Sequence, residues 1–430
     1  MEYDLIIIGS GPGGYVAAIR AGQLGMKVLL VEKDKPGGMC LNWGCIPSKS
    51  LIESAKKFAG LSEFKKYGIE GIDLKSVSFN WQAAVKKAMA NAIKLSKGIE
   101  FLLKKNAVEI ILGEAKISSL NSITVENRNI YAKKIIIATG SYPQVGNSDE
   151  ISIKDFYNLE TLPHKIAFIG IGTVSLEFSL MAAMIGIDTY LVSSEEKIVP
   201  ELDDYLNDYI QKLLKKNKVK LVKDISEIPV DAVKVNSRRR KAVLPESEIE
   251  IKTDENGFIL TDEKLRTNYD SIFAIGDVNG KSAYAHNASF QGLFVVNTIK
   301  GIDTTFCLDK SPINIYTYPE ISQIGLTEQQ LKQKKIDYKI SSFPLSANGK
   351  ALIEGQSEGE MRILSDKKYG EVLGVQIISD NATDMIAEAA AYMQLEATIY
   401  DVASTIHAHP TVSEIFMEAG FEAVDKAIHK

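Results

Sequence analysis

Short apolar runs, broken by glycine-rich turns and followed by longer mixed stretches, recur along this chain. In the first, Asp4 to Gly9 predicts a buried strand, Gly9-Ser10-Gly11-Pro12-Gly13-Gly14 a turn, the residues to about Gly25 a helix, and Lys27 to Glu32 a second strand. This is a βαβ unit in which Gly9, Gly11 and Gly14 have the GxGxxG spacing. That spacing serves a tight turn, close backbone approach to a pyrophosphate, and helix–strand contact. Glu32 closes the second strand, where a carboxylate can accept hydrogen bonds from ribose hydroxyls.

Further along, the alanine- and lysine-rich stretch Trp81 to Lys105 predicts a long helix, and Val108 to Leu112, Ser122 to Val125 and Lys134 to Ala138 predict strands. After Ala138-Thr139-Gly140 the βαβ pattern returns. Its parts are strand Lys165 to Ile169, the turn Gly170-Ile171-Gly172-Thr173-Val174-Ser175, a helix to Gly186 and strand Thr189 to Val192. Here Ser175 stands where the third glycine is expected. A helix over Asp203 to Lys216 and a strand over Val219 to Val222 follow, and the run Arg238-Arg239-Arg240-Lys241 reads as a solvated loop. Ile272-Phe273-Ala274-Ile275-Gly276-Asp277 predicts a buried strand ending in a carboxylate. From about Ser311 strands mix with alanine-rich helix, as expected of a third domain.

A chain of 430 residues is too long for one core. With 55 acidic and 50 basic side chains its net charge is −5, which gives no footing for nucleic acid. No apolar run approaches the roughly 20 residues that span a bilayer. The start Met1-Glu2-Tyr3-Asp4 lacks the basic region of a secretory signal, so a cytoplasmic location without membrane attachment is expected. Three cysteines exclude a disulfide scaffold. Cys307 reads as an inert, half-buried thiol, and His286 as a packing residue.

Cys40 and Cys45 lie in Gly37-Gly38-Met39-Cys40-Leu41-Asn42-Trp43-Gly44-Cys45-Ile46-Pro47-Ser48-Lys49. Two readings stand, a redox-active pair and two buried reduced thiols. An unbroken helix would hold their Cα atoms roughly 8 to 9 Å apart, beyond the about 7 Å limit for a disulfide. Pairing therefore needs the bend that Gly37, Gly38, Gly44 and Pro47 allow. Near the other end, Ile406-His407-Ala408-His409-Pro410-Thr411-Val412-Ser413-Glu414 offers an imidazole with a carboxylate to fix its tautomer. With Glu414 as the one further ligand nearby, the two histidines do not make up a metal site, and no metal is expected.

Taken together, these segments resemble the pyridine nucleotide-disulfide oxidoreductases, and within them the dihydrolipoamide dehydrogenases. The resemblance covers nearly the whole chain. It rests on the cysteine motif, Ala138-Thr139-Gly140, Ala274-Ile275-Gly276-Asp277, Tyr316-Thr317-Tyr318-Pro319-Glu320, Gly325-Leu326-Thr327-Glu328, Leu373-Gly374-Val375 and the histidine motif. His407-Ala408-His409-Pro410-Thr411 sets it apart from glutathione reductases, and the lack of a cysteine pair after residue 307 from mercuric reductases. The fold implied is α/β, with two Rossmann-like domains binding FAD and NAD(P) and a C-terminal α+β dimerisation domain. Expected boundaries are 1–147 with 268–310 for FAD, 148–267 for a shortened NAD-binding-like domain, and 311–430 for dimerisation.

The resemblance implies that Gly9, Gly11, Gly14 and Glu32 hold the FAD pyrophosphate and adenosine ribose, with Asp277 on the ribityl chain. Ala138, Thr139, Gly140, Gly276 and Ala285 complete that site. Lys49 would sit near the flavin and pair with Glu177. Cys45 would be the sulfur beside the flavin, Cys40 the one that exchanges with substrate, and His409, oriented by Glu414, the acid/base. In such enzymes the histidine serves the other subunit of a homodimer. The implied reaction oxidises dihydrolipoamide carried on a separate lipoylated acyltransferase or carrier protein. Alternatives are a related disulfide or quinone reductase and a flavoprotein subunit that does not turn over.

The second nucleotide domain departs from the pattern. Besides Ser175, Thr173 stands where a bulkier residue is usual, Ser193 where an acidic residue binds the ribose, and Ser237 where a glycine is expected. Gly170, Gly172 and Ser193 remain the candidate NAD residues. A serine makes one neutral hydrogen bond where a carboxylate makes charge-assisted ones. Glu195 and Glu196 disfavour a 2′-phosphate. Two readings stand, weak or absent nicotinamide binding and a site in which backbone contacts alone suffice, with NAD over NADP in either case.

Overall fold

The computed structural model describes residues 2–430 apart from Val145, Arg239 and Phe306. The chain divides into two compact units, one of residues 1–54, 78–162 and 235–306, the other of 55–77, 163–234 and 307–430.

The first unit is built on Glu2–Ile8 (β1), Val28–Glu32 (β2), Glu109–Leu112 (β3), Lys116–Ser119 (β4), Ser122–Val125 (β5), Arg128–Ile137 (β6) and Ile272–Ala274 (β14). They form one sheet in the order β3-β2-β1-β6-β5-β4, with β14 added on β6. The pairs β1–β2, β1–β6, β2–β3 and β6–β14 are parallel, whereas β4, β5 and β6 form an antiparallel meander. Leu5, Ile7, Val28, Leu30 and Ile136 join one core and Ile6, Ile8, Leu29, Ile135 and Ile137 another. A sheet covered on both sides in this way explains the continuous apolar runs of its strands. Pro12–Gln23 (α1) buries Gly13, Gly14, Ala17, Ala18 and Ala21, residues small enough for close approach to Ala285–Ile299 (α8), whose Gly292 lies against Ala17. Trp81–Lys105 (α4) has the predicted span and is capped by the Asn80 side chain.

Strand β6 begins at Arg128, ahead of the expected Lys134, because its first half is exposed and polar and pairs with β5. β4 has no apolar run and escapes the pattern. The basic run is no solvated loop: Arg238 pairs with Glu150, and Arg240–Ala242 (β13) pairs antiparallel with Ser141–Pro143 (β7). Arg239 lies outside the described residues. Glu150–Ser152 (β8) and Ile153–Tyr157 (α5) complete this unit.

In the second unit Lys165–Ile169 (β9), Asp188–Val192 (β10) and Lys220–Val222 (β11) are parallel in the order β11-β10-β9. Thr173–Met184 (α6) links β9 to β10, and Asp204–Lys216 (α7), capped by Asp203, links β10 to β11. Between β11 and Val233–Asn236 (β12) the chain makes a single 3₁₀ turn, Ile225–Glu227. The C-terminal part is an antiparallel sheet of Ile313–Ile315 (β15), Glu320–Gly325 (β16), Tyr338–Pro344 (β17), Glu360–Asp366 (β18) and Val372–Ser379 (β19), ordered β15-β16-β19-β18-β17. Ala382–Gln394 (α11), Ile399–Ser404 (α12) and Glu414–Val424 (α13) bury their apolar faces in its core, among them Ile386, Val402 and Phe416. Cys307 is exposed, not half-buried, since it lies outside both sheets.

Candidate active site

The first unit holds a cavity of about 350 Å³ beyond the C-terminal ends of β1, β2 and β6. Parallel α/β sheets place ligands at that edge. Gly9, with φ +98°, carries the chain from β1 into the turn, and a Cβ there would lie 2.4 Å from the Ala138 carbonyl oxygen. A Cβ at Gly14 would lie 1.9 Å from the Gly9 oxygen, so this glycine presses α1 against the turn and does not itself line the cavity. At Gly11 a Cβ would meet nothing within 4 Å, and the open space is the cavity it lines. Glu32 is buried at the end of β2, where its carboxylate accepts from the Ser10 amide (2.8 Å), the Ser10 hydroxyl (2.6 Å) and the Asp34 amide (2.9 Å).

The cysteine segment packs directly on this turn. The Gly37 amide donates to the Ser10 carbonyl at 3.0 Å, and a Cβ on Gly38 would sit 2.6 Å from the Gly11 Cα. Gly38–Asn42 (α2) is then interrupted, and Cys45–Gly60 (α3) starts afresh. Gly44 permits the interruption, since a Cβ there would be 2.9 Å from the Met39 oxygen and 3.2 Å from the Cys40 Cα. Asn42 ties the bend by donating to the carbonyls of Pro36 and Gly38, and Ser96 of α4 holds Pro36 from outside. Both cysteines are thiols, hydrogen-bonded to each other, and both line the cavity. That bond and burial push the Cys40 thiol well up, while the Lys49 charge pulls it down. Tyr15, on α1, is raised by burial and by the charges of both cysteines.

Ala138, Thr139, Gly140, Gly276, Asp277 and Ala285 all line the same cavity. Sequence reasoning missed one wall, Val243-Leu244-Pro245, which has no motif of its own. It is held there by the Thr139 hydroxyl donating to the Val243 carbonyl and the Val243 amide donating to Gly140. Lys49 lies on α3 in the first unit, and Glu177 on α6 in the second, where its buried carboxylate accepts the Tyr316 amide at 3.0 Å.

Within the second unit the two histidines differ sharply. His407 is 6% exposed at its side chain, 2.7 Å from Glu388, and stacked on Phe416. Glu388 raises its pKa above the usual histidine value. His409 is 79% exposed, yet its Nδ1 is fixed 2.9 Å from Glu414. Burial works to raise the Glu414 carboxyl, but the Thr411 amide and His409 outweigh it and hold it below the usual glutamate range. Just after β10 the Ser193 hydroxyl is engaged by its own loop, 3.1 Å from both the amide and the carbonyl of Glu195.

A family profile described as pyridine nucleotide-disulphide oxidoreductase matches residues 3–292, and the profile of that family's dimerisation domain matches 311–420. The chain belongs to the pyridine nucleotide-disulphide oxidoreductases. Dihydrolipoyl dehydrogenase of Bacillus subtilis is 35% identical over 475 aligned positions, covering 100% of this chain and 99% of the relative. Dihydrolipoyl dehydrogenase of Geobacillus stearothermophilus is also 35% identical, covering 100% and 98%. Among solved structures, LpdA of Mycobacterium tuberculosis superposes with a TM-score of 0.89 at 20% identity, covering 97% of this chain and 99% of that one. The HOCl-induced flavoprotein disulfide reductase RclA of Escherichia coli gives 0.83 at 22%, covering 96% and 98%. These two establish the fold.

As a member of the family the protein is an oxidoreductase of the dihydrolipoyl dehydrogenase kind, a flavoprotein using FAD and a pyridine nucleotide. The first cavity fits FAD on its own geometry: the open face at Gly11, a buried carboxylate at Glu32 and a dithiol in the wall stand together. Residues 311–420 are the family's dimerisation domain, in keeping with a homodimer. Among the described residues no helix is long and apolar enough to cross a membrane.

Proposed function

We propose that this protein oxidises dihydrolipoamide borne on a lipoylated acyltransferase or carrier protein, with electrons leaving through Cys40, Cys45 and FAD to NAD. The observation that carries the reading is the hydrogen-bonded Cys40–Cys45 pair set in the wall of the cavity that the glycine turn, Glu32 and Asp277 also line. In domain terms we assign 1–147 with 268–310 to FAD, 148–267 to NAD and 311–430 to dimerisation.

Gly9, Gly11 and Gly14 would shape the turn for the FAD pyrophosphate, Glu32 would take the adenosine ribose and Asp277 the ribityl chain, with Lys49 by the ring. When bound, FAD would supply a two-electron acceptor beside the dithiol and NAD a hydride acceptor. The chain's own residues handle protons and sulfur. His409 of one subunit, its tautomer fixed by Glu414, takes a proton from one substrate thiol at Nε2. The resulting thiolate attacks Cys40 of the Cys40–Cys45 disulfide, forming a mixed disulfide and releasing Cys45 as thiolate. The second substrate thiol then attacks its own linked sulfur, closing the cyclic disulfide and expelling Cys40, which takes up the proton. An imidazole so exposed, yet so firmly oriented, suits donation to a neighbouring chain.

One observation favours a variant of this reading. Ser193 turns its hydroxyl into its own loop, so the ribose of NAD meets no carboxylate there and nicotinamide binding is weak. A disulfide or quinone reductase with another electron partner is the alternative that follows. Anaerobic addition of dihydrolipoamide to the FAD-loaded protein separates the two. A long-wavelength band from the Cys45 thiolate against FAD is expected, followed by NADH on adding NAD, and Cys40→Ser should lower turnover about 10³-fold or more. No spectral change with dihydrolipoamide would reject the proposal.

A further inference from the structure

Two imidazoles stand two residues apart between α12 and α13, and they are held in opposite ways. His409 commits Nδ1 to Glu414 and is otherwise exposed, whereas both ring nitrogens of His407 are bound. The Thr405 carbonyl oxygen, 3.0 Å from His407 Nδ1, can only accept, so Nδ1 carries a proton. His407 Nε2 lies 2.7 Å from Glu388 Oε1, an oxygen that also accepts the Tyr392 hydroxyl at 3.0 Å. Two donors on one oxygen suit a carboxylate, so Nε2 carries a proton too and the ring is an imidazolium. Glu388 and Tyr392 stand on α11. The ring also lies parallel to Phe416 of α13, at 4° and with 6.3 Å between centroids, and Phe416 is fully buried beside Tyr392. Helix α13 starts with Glu414, the residue that holds His409. His407 therefore keys this connection to α11 and also to the helix that orients the neighbouring imidazole. Downstream the connection is tied again, by the Thr411 hydroxyl donating to the Ala408 carbonyl at 2.7 Å and by the Asn348 amide donating to the Thr411 carbonyl at 3.0 Å. His409 is carried between those ties.

We infer that His407 is a positioning residue for His409: held by Glu388 and seated on Phe416, it fixes the segment 405–409 against the helix that carries Glu414, so that the His409–Glu414 couple forms with its proton on Nδ1. With both nitrogens bound, His407 has none to lend to proton transfer. Its part is geometric. A misplacement of about 1 Å at a reacting group can cost on the order of 10²-fold in rate, and an imidazole as exposed as His409 has little packing of its own to prevent it. The buried ring two residues earlier supplies that packing, and its two hydrogen bonds give the segment one register on α11.

This inference rests on His409 being the acid/base, and its test keeps the two apart. Full-length, FAD-loaded wild type, His409→Gln, His407→Phe, Glu388→Leu and Glu388→Gln proteins are made with histidine labelled in both ring nitrogens. The chain has five histidines, and the His409 signals are those missing from His409→Gln. At a pH where that ring is neutral, nuclear magnetic resonance of the wild type is expected to show a single tautomer with the proton on Nδ1. His407→Phe keeps a ring on Phe416 but loses both hydrogen bonds, and should give mixed His409 tautomers and a kcat for dihydrolipoamide lower by about tenfold or more, with KM little changed. Glu388→Leu should do the same. Glu388→Gln should recover the single tautomer and most of kcat, because an amide can donate to Nε2 of a neutral His407 whose Nδ1 still donates to Thr405. A single Nδ1–H tautomer of His409 in both His407→Phe and Glu388→Leu overturns the inference, and so does a loss in Glu388→Gln equal to that in Glu388→Leu. Unaltered turnover in His409→Gln removes the acid/base reading instead, and the tautomers then decide the positioning alone. Should His407→Phe not fold, the two Glu388 variants decide on the same readouts.

Discussion

The two glycine turns of this chain begin alike and end differently. In each, the first glycine follows the last strand residue and donates its amide to the neighbouring strand, Gly9 to Val31 at 2.8 Å and Gly170 to Val192 at 3.1 Å. Each helix starts at the matching place, α1 at Pro12 and α6 at Thr173. They part at the middle glycine: Gly11 has φ −62°, whereas Gly172 has φ +100° and donates its amide to the Ile198 carbonyl. At the third position Gly14 has no room for even a methyl group, while Ser175 is fully buried with its side chain in place. At the end of the second strand Glu32 gathers three donors into the cavity wall, and Ser193 folds onto Glu195. A glycine spacing therefore reports a backbone course, and the residue closing the second strand reports what the turn can hold.

The largest effect expected from breaking this contrast is at the third position. Gly14→Ala puts a methyl 1.9 Å from the Gly9 oxygen, and should cost about 3 kcal/mol and abolish FAD uptake, read by urea unfolding and flavin content. Ser175→Gly, the mirror change, should alter stability by about 1 kcal/mol or less. Equal effects at the two sites would erase the distinction. Next comes Glu32→Gln, which exchanges charge-assisted bonds for neutral ones and sets an amide against the donors of Ser10. FAD binding, measured by fluorescence on reconstitution, should weaken about tenfold. The smallest change sharpens the comparison from the other side. Ser193→Glu restores a carboxylate and should tighten NAD about fivefold, close to the 1 kcal/mol that separates charged from neutral hydrogen bonds. Calorimetric titration showing tight NAD binding before that substitution would refute the weak-binding reading.

Much of the first unit was legible because its information is local. An apolar strand, a glycine turn and a small-residue helix each declare themselves within a dozen or so positions, and α4 was found at its observed limits. The paired cysteines and the His409–Glu414 couple were equally local. What escaped depends on partners far along the chain. Arg240 reads as a solvated charge until the ladder brings it to Ser141, and Val243 to Pro245 become a cleft wall only through Thr139 and Gly140. Ser193, just after β10, reads as a donor open to a ligand until its loop folds and the amide and carbonyl of Glu195 engage its hydroxyl.

The interruption between α2 and α3 has a consequence for the sulfur exchange proposed above. Were the cysteines on one continuous rod, closing the S–S bond would require unwinding about a turn, at roughly 0.5 to 1.5 kcal/mol for each backbone bond given up, and rewinding it on reduction. Because Gly44 parts the rod in advance, the two thiols meet and hydrogen-bond across the break without that unwinding.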